Sequence, residues 1–251
     1  MRDPALLAPA WGCRGLVRAC STTRRGGLGV GQQATFSLDP RPDTDPDVLA
    51  GNRRRLREAL ALPSEPVWLQ QVHGIGVVDA ARAGTEAPPQ ADAAWTNVPG
   101  IVCAVLTADC LPVVLADPES AAVAVVHAGW RGLAAGVIEA AVVALPVESG
   151  RLQAWLGPAI GPRAYEVGPE VRSAFVEADP AAADAFRPGV DDRWWADLYR
   201  LARQRLASIG VSRVSGGEYC TLCRHRDFFS YRRDGPGTGR MATLAWIPAS
   251  T

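Results

Sequence analysis

Residues 101–145 read IVCAVLTADCLPVVLADPESAAVAVVHAGWRGLAAGVIEAAVVAL. Three short apolar runs rich in Val, Ile and Ala stand in this stretch: Ile101–Thr107, Pro112–Ala116 and Ala121–His127. Turn chemistry at Ala108–Cys110 and Asp117–Ser120 separates them, so they are expected to be buried strands. The segment HAGWRG follows. Leu133–Leu145 then has the length and apolar content of a buried helix, closed before Pro146.

Outward from this centre, strand and helix signals alternate. Residues 20–38 read as a loop-rich opening segment, with Gly26, Gly27, Gly29 and Gly31 relieving the backbone. Asp47–Leu62 fits a helix with apolar positions at Val48, Leu49, Leu56 and Leu60, stopped by Pro63. Val67–Asp79 is strand-like but interrupted at Gly74 and Gly76, and residues 83–91 read as a connecting loop. Further along, Leu152–Leu156 is a short strand, and Pro169–Ala178 and Trp194–Ile209 are helix candidates. Arg213–Glu218, Asp227–Tyr231 and Met241–Ile247 are expected closing strands, with a polar turn between the last two. No linker or internal repeat divides the pattern. The expectation is one α/β or α+β domain over residues 1–251 with a mixed sheet.

Composition narrows the function classes. With 251 residues, 48% hydrophobic and 21% charged, the chain is long and apolar enough to build its own core. Cationic and acidic residues both number 26, which argues against a general electrostatic grip on nucleic acid or an anionic membrane. Every cation is arginine. Schiff-base and P-loop lysines are thereby excluded, and any anion site must use arginine, main-chain N–H groups, histidine or metal. No uninterrupted 18-residue apolar run and no clear secretory signal are seen. The six cysteines, Cys13, Cys20, Cys103, Cys110, Cys220 and Cys223, are therefore expected as free thiols in a reducing cytoplasm.

Only three histidines are present, so their placement carries weight. His73 closes QVH before Gly74, His127 ends an apolar run, and Cys110 lies between two such runs. All three fall at expected strand ends, where α/β folds place reactive groups. Two neutral imidazoles and a thiolate make a three-ligand set for zinc with a fourth position open. The same Cys110 and His127 also suit a thiol nucleophile with its base, oriented by Asp109 or Gln71. Residue identity leaves both chemistries open; His73 is the discriminator, because a dyad needs one histidine and a metal site uses both. Cys220-Thr221-Leu222-Cys223, with His225 nearby, could be half of a zinc site or a redox pair, but with no second CxxC and no nearby fourth ligand it is read as structural thiols. Arg24 and Arg25 beside Gly26–Gly27, and Arg232 and Arg233 in YRRDG, are arginine forks beside flexible backbone, suited to phosphate.

Six blocks in order carry a resemblance: QQVHG, ADAAWTN, TADCLPVVLAD, VHAGWRGLAAGVI, LGPAIGPRAYEVG and FFSYRRDGPGTGR. Together they resemble the YfiH-type laccase-domain family, whose members are also labelled polyphenol oxidase or purine nucleoside phosphorylase. The resemblance runs from Thr22 to Trp246. It implies a single α/β domain with a layered sheet and one zinc held by His73, Cys110 and His127. It further implies phosphorolysis of adenosine, inosine and 5′-methylthioadenosine, an adenosine deaminase activity and, in older descriptions, copper-dependent oxidation of phenols. Within the matching blocks Gln71 and Asp92 are expected substrate contacts, and Asp109 is expected as a proton shuttle or as the partner of a metal-bound imidazole. The expected partners are a nucleoside and phosphate, with no nucleic acid, membrane or obligate protein partner. The chain departs from the pattern at Arg163-Ala164-Tyr165, where the family often has Cys-Cys-Tyr, and at Ser37-Leu38-Asp39, where Leu-Asn-Leu is common.

Overall fold

The structure, a computed structural model, describes residues 4–11, 15–30, 35–40, 44–84 and 87–249. Cys13, Gly31 and part of the 83–91 connection lie outside the described residues. The first half of the chain forms β1 (Leu6–Leu7), β2 (Arg18–Thr22), α1 (Pro46–Leu60), β3 (Val77–Asp79), β4 (Ala93–Thr96), β5 (Val102–Thr107), β6 (Leu111–Asp117) and β7 (Ala122–Ala128). The second half forms α2 (Trp130–Ala135), α3 (Val137–Ala144), β8 (Gln153–Leu156), β9 (Glu166–Val167), α4 (Pro169–Val176), β10 (Phe186–Pro188), β11 (Trp194–Ala196), α5 (Leu198–Ser208), β12 (Arg213–Gly216), α6 (Tyr231–Asp234) and β13 (Met241–Trp246).

The three central apolar runs are strands, as the sequence predicts, and their pairing builds a layered molecule. A six-stranded sheet has the order β12-β8-β6-β7-β4-β3. Its outer pairs, β12 with β8 and β3 with β4, are parallel and the inner pairs antiparallel, so the sheet is mixed. A four-stranded antiparallel sheet, β1-β2-β13-β5, packs on one face of it, and a small sheet β10-β11-β9 lies apart. Strand alternation then sorts the side chains. Leu111, Val113 and Leu115 of β6 face a core shared with α3 and α5, whereas Val114 and Ala116 face Cys103, Val105 and Ala245 of the four-stranded sheet. The far face of that second sheet packs Val102, Ala104 and Leu244 on Leu56 of α1. The layers run helix, sheet, sheet, helices. Both faces of β6 and β7 are therefore covered, which is why these strands are buried at every position and carry apolar residues in succession, with Asp117 and His127 as the polar exceptions near their ends. Truncating the fully buried Leu115 to alanine is expected to cost about 2–5 kcal/mol.

Four sequence expectations are corrected. The helix expected over Leu133–Leu145 begins earlier, at Trp130, and breaks at Gly136, whose φ of 100° ends α2 and starts α3. Trp194–Ile209 divides: Trp194–Ala196 pairs between β10 and β9, and Asp197 then caps α5 by accepting the Arg200 N–H at 3.0 Å. Asp227–Tyr231 forms no strand, and the expected hairpin turn after it is instead α6, capped by Ser230. Phe228 and Phe229 are both buried against Ala108 and Met241, so this segment is pinned by two adjacent aromatic anchors rather than alternating along a sheet. Of the strand-like stretch Val67–Asp79, only Val77–Asp79 is a strand; the preceding residues form a loop described below.

Candidate metal centre

The centre is assembled from the ends of three segments. β4 pairs with β7 so that Asp92, just ahead of β4, lies beside His127, whose N–H donates to the Asp92 carbonyl at 2.7 Å. The Asp92 carboxylate is fully buried and accepts four hydrogen bonds. Oδ1 takes the His73 N–H at 2.9 Å and His127 Nδ1 at 2.8 Å; Oδ2 takes the Gly74 N–H at 2.7 Å and the Val72 N–H at 3.2 Å. One side chain thus bends the QVHG segment into a loop and fixes an imidazole. Burial works to raise the Asp92 carboxyl, but His127 and the N–H donors outweigh it and hold it below the usual carboxylate range. With Nδ1–H directed at a carboxylate, His127 presents Nε2 outward, the usual arrangement of a metal-ligating histidine.

His73 reaches this point with a backbone φ of 60°. A left-handed conformation is costly for a residue with a side chain, and here the Asp92 clamp holds it. Cys110 follows Asp109, whose φ is 89°. The Asp109 carboxylate accepts from the Thr221 hydroxyl at 2.5 Å, the Ser230 hydroxyl at 3.0 Å and the Arg232 N–H at 2.7 Å, locking the Cys110 loop to two distant segments.

One donor atom from each of His73, Cys110 and His127 lies within 4.8 Å of the others, with His73 exposed, Cys110 half-buried and His127 buried. Among the described residues this is the one such group of potential ligands. Gly129 completes it. A Cβ there would sit 3.0 Å from His73 Cδ2, 3.1 Å from Cys110 Sγ and 3.6 Å from His127 Cε1, so the absence of a side chain keeps the space between the donors open. Burial opposes a Cys110 thiolate, but the two imidazoles overcome it and draw the thiol well below its ordinary range. Burial likewise opposes a charged His127, while the thiolate and Asp92 push it up. Two imidazoles, a ready thiolate and a buried carboxylate behind one imidazole match the donor chemistry of a divalent transition metal.

The other residues singled out in the sequence are placed as follows. Gln71 is committed to the backbone of Leu106, giving 2.8 Å from Nε2 and taking 2.7 Å at Oε1. The carboxylate on the imidazole is that of Asp92, and Asp109 touches neither histidine's ring among its hydrogen bonds. Arg233 forms a bidentate pair with Asp234 and donates to the carbonyls of Thr221, Leu222 and Phe228. Arg25 pairs with Asp227. Arg24 lies 4.8 Å over the Phe229 ring, and Arg232 lies 5.4 Å over Tyr165 while donating to the Glu166 carbonyl. The reading of sequence did not find Gly129, Tyr165 or Arg131 as site residues. Tyr165 is close enough to Cys110, Asp109, Arg131 and Arg232 to feel their charge, and burial pushes its phenol up, so it stays neutral. Gly129 had a signal, a glycine two positions after a histidine at a strand end; Tyr165 lies in the block LGPAIGPRAYEVG, but the neighbours that give it a place at the site are distant in the chain.

Residues 18–248 match the family described as multi-copper polyphenol oxidoreductase laccase. The chain belongs to this family. Among its relatives, purine nucleoside phosphorylase YfiH of Shigella flexneri is 48% identical over 242 residues, 96% of this chain and 98% of that protein. A purine nucleoside phosphorylase of Pseudomonas aeruginosa is 49% identical over 244 residues, 97% and 98% of the two chains. Among solved structures, a Neisseria meningitidis protein superposes with a TM-score of 0.93 at 41% identity, covering 97% of this chain and 99% of that one. YlmD from Geobacillus stearothermophilus gives 0.90 at 28% identity over 99% and 98%. The mixed α/β layering of this laccase-family member is thus that of its relatives. No helix among the described residues is long and apolar enough to cross a membrane.

Proposed function

We propose that the protein is a zinc-dependent purine nucleoside phosphorylase that cleaves adenosine, inosine and 5′-methylthioadenosine with phosphate, and that it deaminates adenosine as well. The observation that carries this reading is the convergence of His73, Cys110 and His127 in a chain whose relatives are named purine nucleoside phosphorylase. Phosphorolysis builds positive charge on the ribose and negative charge on the departing purine while a phosphate oxygen attacks the anomeric carbon. When bound, zinc supplies Lewis-acid polarisation without the lysine this chain lacks. Arg232 is preferred as the phosphate-binding arginine over Arg233 and Arg25, which are held in ion pairs. The neutral Tyr165 hydroxyl and Arg131 stand on the Cys110 side and can donate hydrogen bonds to the purine or phosphate as charge develops. Asp92 and Gln71 are positioning residues in this scheme, one for His127 and the QVHG loop, the other for the link from that loop to β5. Asp109, with three donors on its oxygens, holds loops instead of shuttling a proton.

A second reading is favoured by one observation. Cys110, His127 and Asp92 form a thiolate–imidazole–carboxylate series, the arrangement of a thiol hydrolase. His73 weighs against it, since such a series has no use for a second imidazole at the sulfur. Copper oxidation of phenols by a multicopper mechanism needs many more imidazoles than three. Incubation with inosine and phosphate, before and after chelation, separates these readings. Hypoxanthine and ribose 1-phosphate are expected, lost on chelation and restored by zinc. No product from the zinc-loaded protein would overturn the proposal, and hydrolase activity that survives chelation but not thiol alkylation would replace it with the second reading.

A further inference from the structure

The CxxC pair was set aside in the sequence as structural, and the metal centre does not use it. Its surroundings give it a role. Cys220 to Arg224 makes a single helical turn, closed by the Arg224 N–H on the Cys220 carbonyl at 3.0 Å. The Cys220 sulfur accepts the N–H of Gly161 at 3.3 Å and of Cys223 at 3.4 Å, and the Cys223 thiol hydrogen-bonds to the same sulfur. Cys223 is exposed and Cys220 half-buried, so small molecules reach the pair. The residue between them is wired to the centre: Thr221 is fully buried, gives its hydroxyl to Asp109, and its N–H bonds the Ala159 carbonyl at 3.0 Å. Asp109 directly precedes the ligand Cys110. Of the other described cysteines, Cys110 belongs to the candidate metal centre, and Cys20 and Cys103 offer little competition. Cys20 and Cys103 are buried, which pushes both thiols up, Cys20 to about 12, and a buried thiol is inert.

We propose that Cys220 and Cys223 form a reversible disulfide whose closure pulls Thr221 away from Asp109 and loosens the Cys110 loop, making the metal centre sensitive to thiol oxidation. The oxidant is a small-molecule disulfide. Cys223 loses its proton and its sulfur attacks one sulfur of the oxidant, releasing one thiolate. The Cys220 sulfur, giving up its own proton, then displaces the second. One S–S bond forms in the protein and one breaks in the oxidant. Two electrons pass to the oxidant, and two protons end on the released thiols. Bringing the two sulfurs to a bonded distance of about 2 Å turns the Cys220 sulfur away from the Gly161 N–H and tightens the turn that carries Thr221. The inference rests on the metal centre but not on the reaction catalysed there.

The test uses the zinc-loaded full chain, incubated with glutathione disulfide, alkylated and digested with trypsin. Peptide Val214–Arg224 contains both sulfurs and no other cysteine. It is expected to be lighter than the reduced peptide by two hydrogens. Zinc release to a chromogenic chelator is expected to rise about tenfold, the low end of what disturbing an outer-shell partner costs, and to return on adding dithiothreitol. Cys223→Ser is expected to release zinc at the reduced wild-type rate with or without oxidant. The proposal is overturned if the wild-type peptide keeps two alkylated thiols. It is overturned equally if the disulfide forms with zinc release unchanged, or if oxidant accelerates release from Cys223→Ser as much as from wild type.

Discussion

The β6–β7 hairpin has two ends built on opposite plans. At one end, Asp117 closes the turn with near neighbours: it accepts the Glu119 N–H at 3.0 Å and the Ser120 hydroxyl, and only Arg151, at 2.8 Å, comes from further along the chain. At the other end, Cys110 enters β6 and His127 leaves β7, and what fixes them comes from afar. Asp92 stands 35 positions from His127, and Asp109 is held by Thr221, Ser230 and Arg232, which lie 112, 121 and 123 positions away. The same two strands thus carry a self-contained turn and a junction of six chain segments, the QVHG loop included. A closed turn stabilises; a junction holds reactive groups at a geometry that no local sequence would adopt by itself, as the left-handed backbones of His73 and Asp109 show.

Four substitutions probe that contrast, the largest effect first. His127→Ala removes one of the three clustered donors and leaves the Asp92 carboxylate facing a void; loss of both bound metal and turnover is expected, and full metal content by elemental analysis would break the junction reading. Gly129→Ala alters no ligand, yet its methyl would enter the space between the donor atoms. Metal content is expected to fall sharply while the folded state, followed by circular dichroism, persists; an unchanged metal stoichiometry would show that the ion sits elsewhere. Asp92→Asn keeps the size of the side chain but loses the charge behind His127. Metal affinity should weaken by about 10–100-fold in a competition titration, and an affinity equal to wild type would reduce Asp92 to a loop clamp. At the closed end, Asp117→Asn should leave metal affinity untouched and act on stability alone. Burial raises the Asp117 carboxyl, but Ser120, the Glu119 N–H and Arg151 outweigh burial and lower it. A carboxyl lowered on folding contributes stability above its unfolded value that is lost as pH falls through its folded one. Wild type should therefore lose thermal stability in acid more steeply than Asp117→Asn, and parallel acid limbs would sink this assignment.

The two ends also mark what could be read from the sequence. The strands on either side of Asp117 and the turn between them were legible because apolar runs and turn residues are neighbours in the chain. The His73, Cys110 and His127 cluster was legible through the resemblance and through histidines placed at strand ends. The supports were not. Asp92 stood in a matching block and was expected to meet substrate, whereas it is enclosed by four donors; nothing in ADAAWTN announces the three backbone N–H groups it collects from another loop. Trp194–Ala196 was absorbed into a helix because apolar residues suit either period over so short a run, and only pairing with β9 and β10 decides the matter. Asp227–Tyr231 departs from its strand-like composition for the converse reason: two adjacent phenylalanines are buried together as anchors.

The place of β13 has a consequence for how the molecule is made. It lies between β2 and β5 and bonds to both, although it is synthesised more than 130 residues after β5 begins. Until it emerges from the ribosome, those two strands have no middle partner, and their open backbone is a template for pairing with another copy. His73, Cys110 and His127 are all translated well before that moment, so a nascent chain carries them beside an unfinished sheet. A chaperone that shields β2 and β5 during this interval would protect the yield of folded protein without touching a single catalytic group.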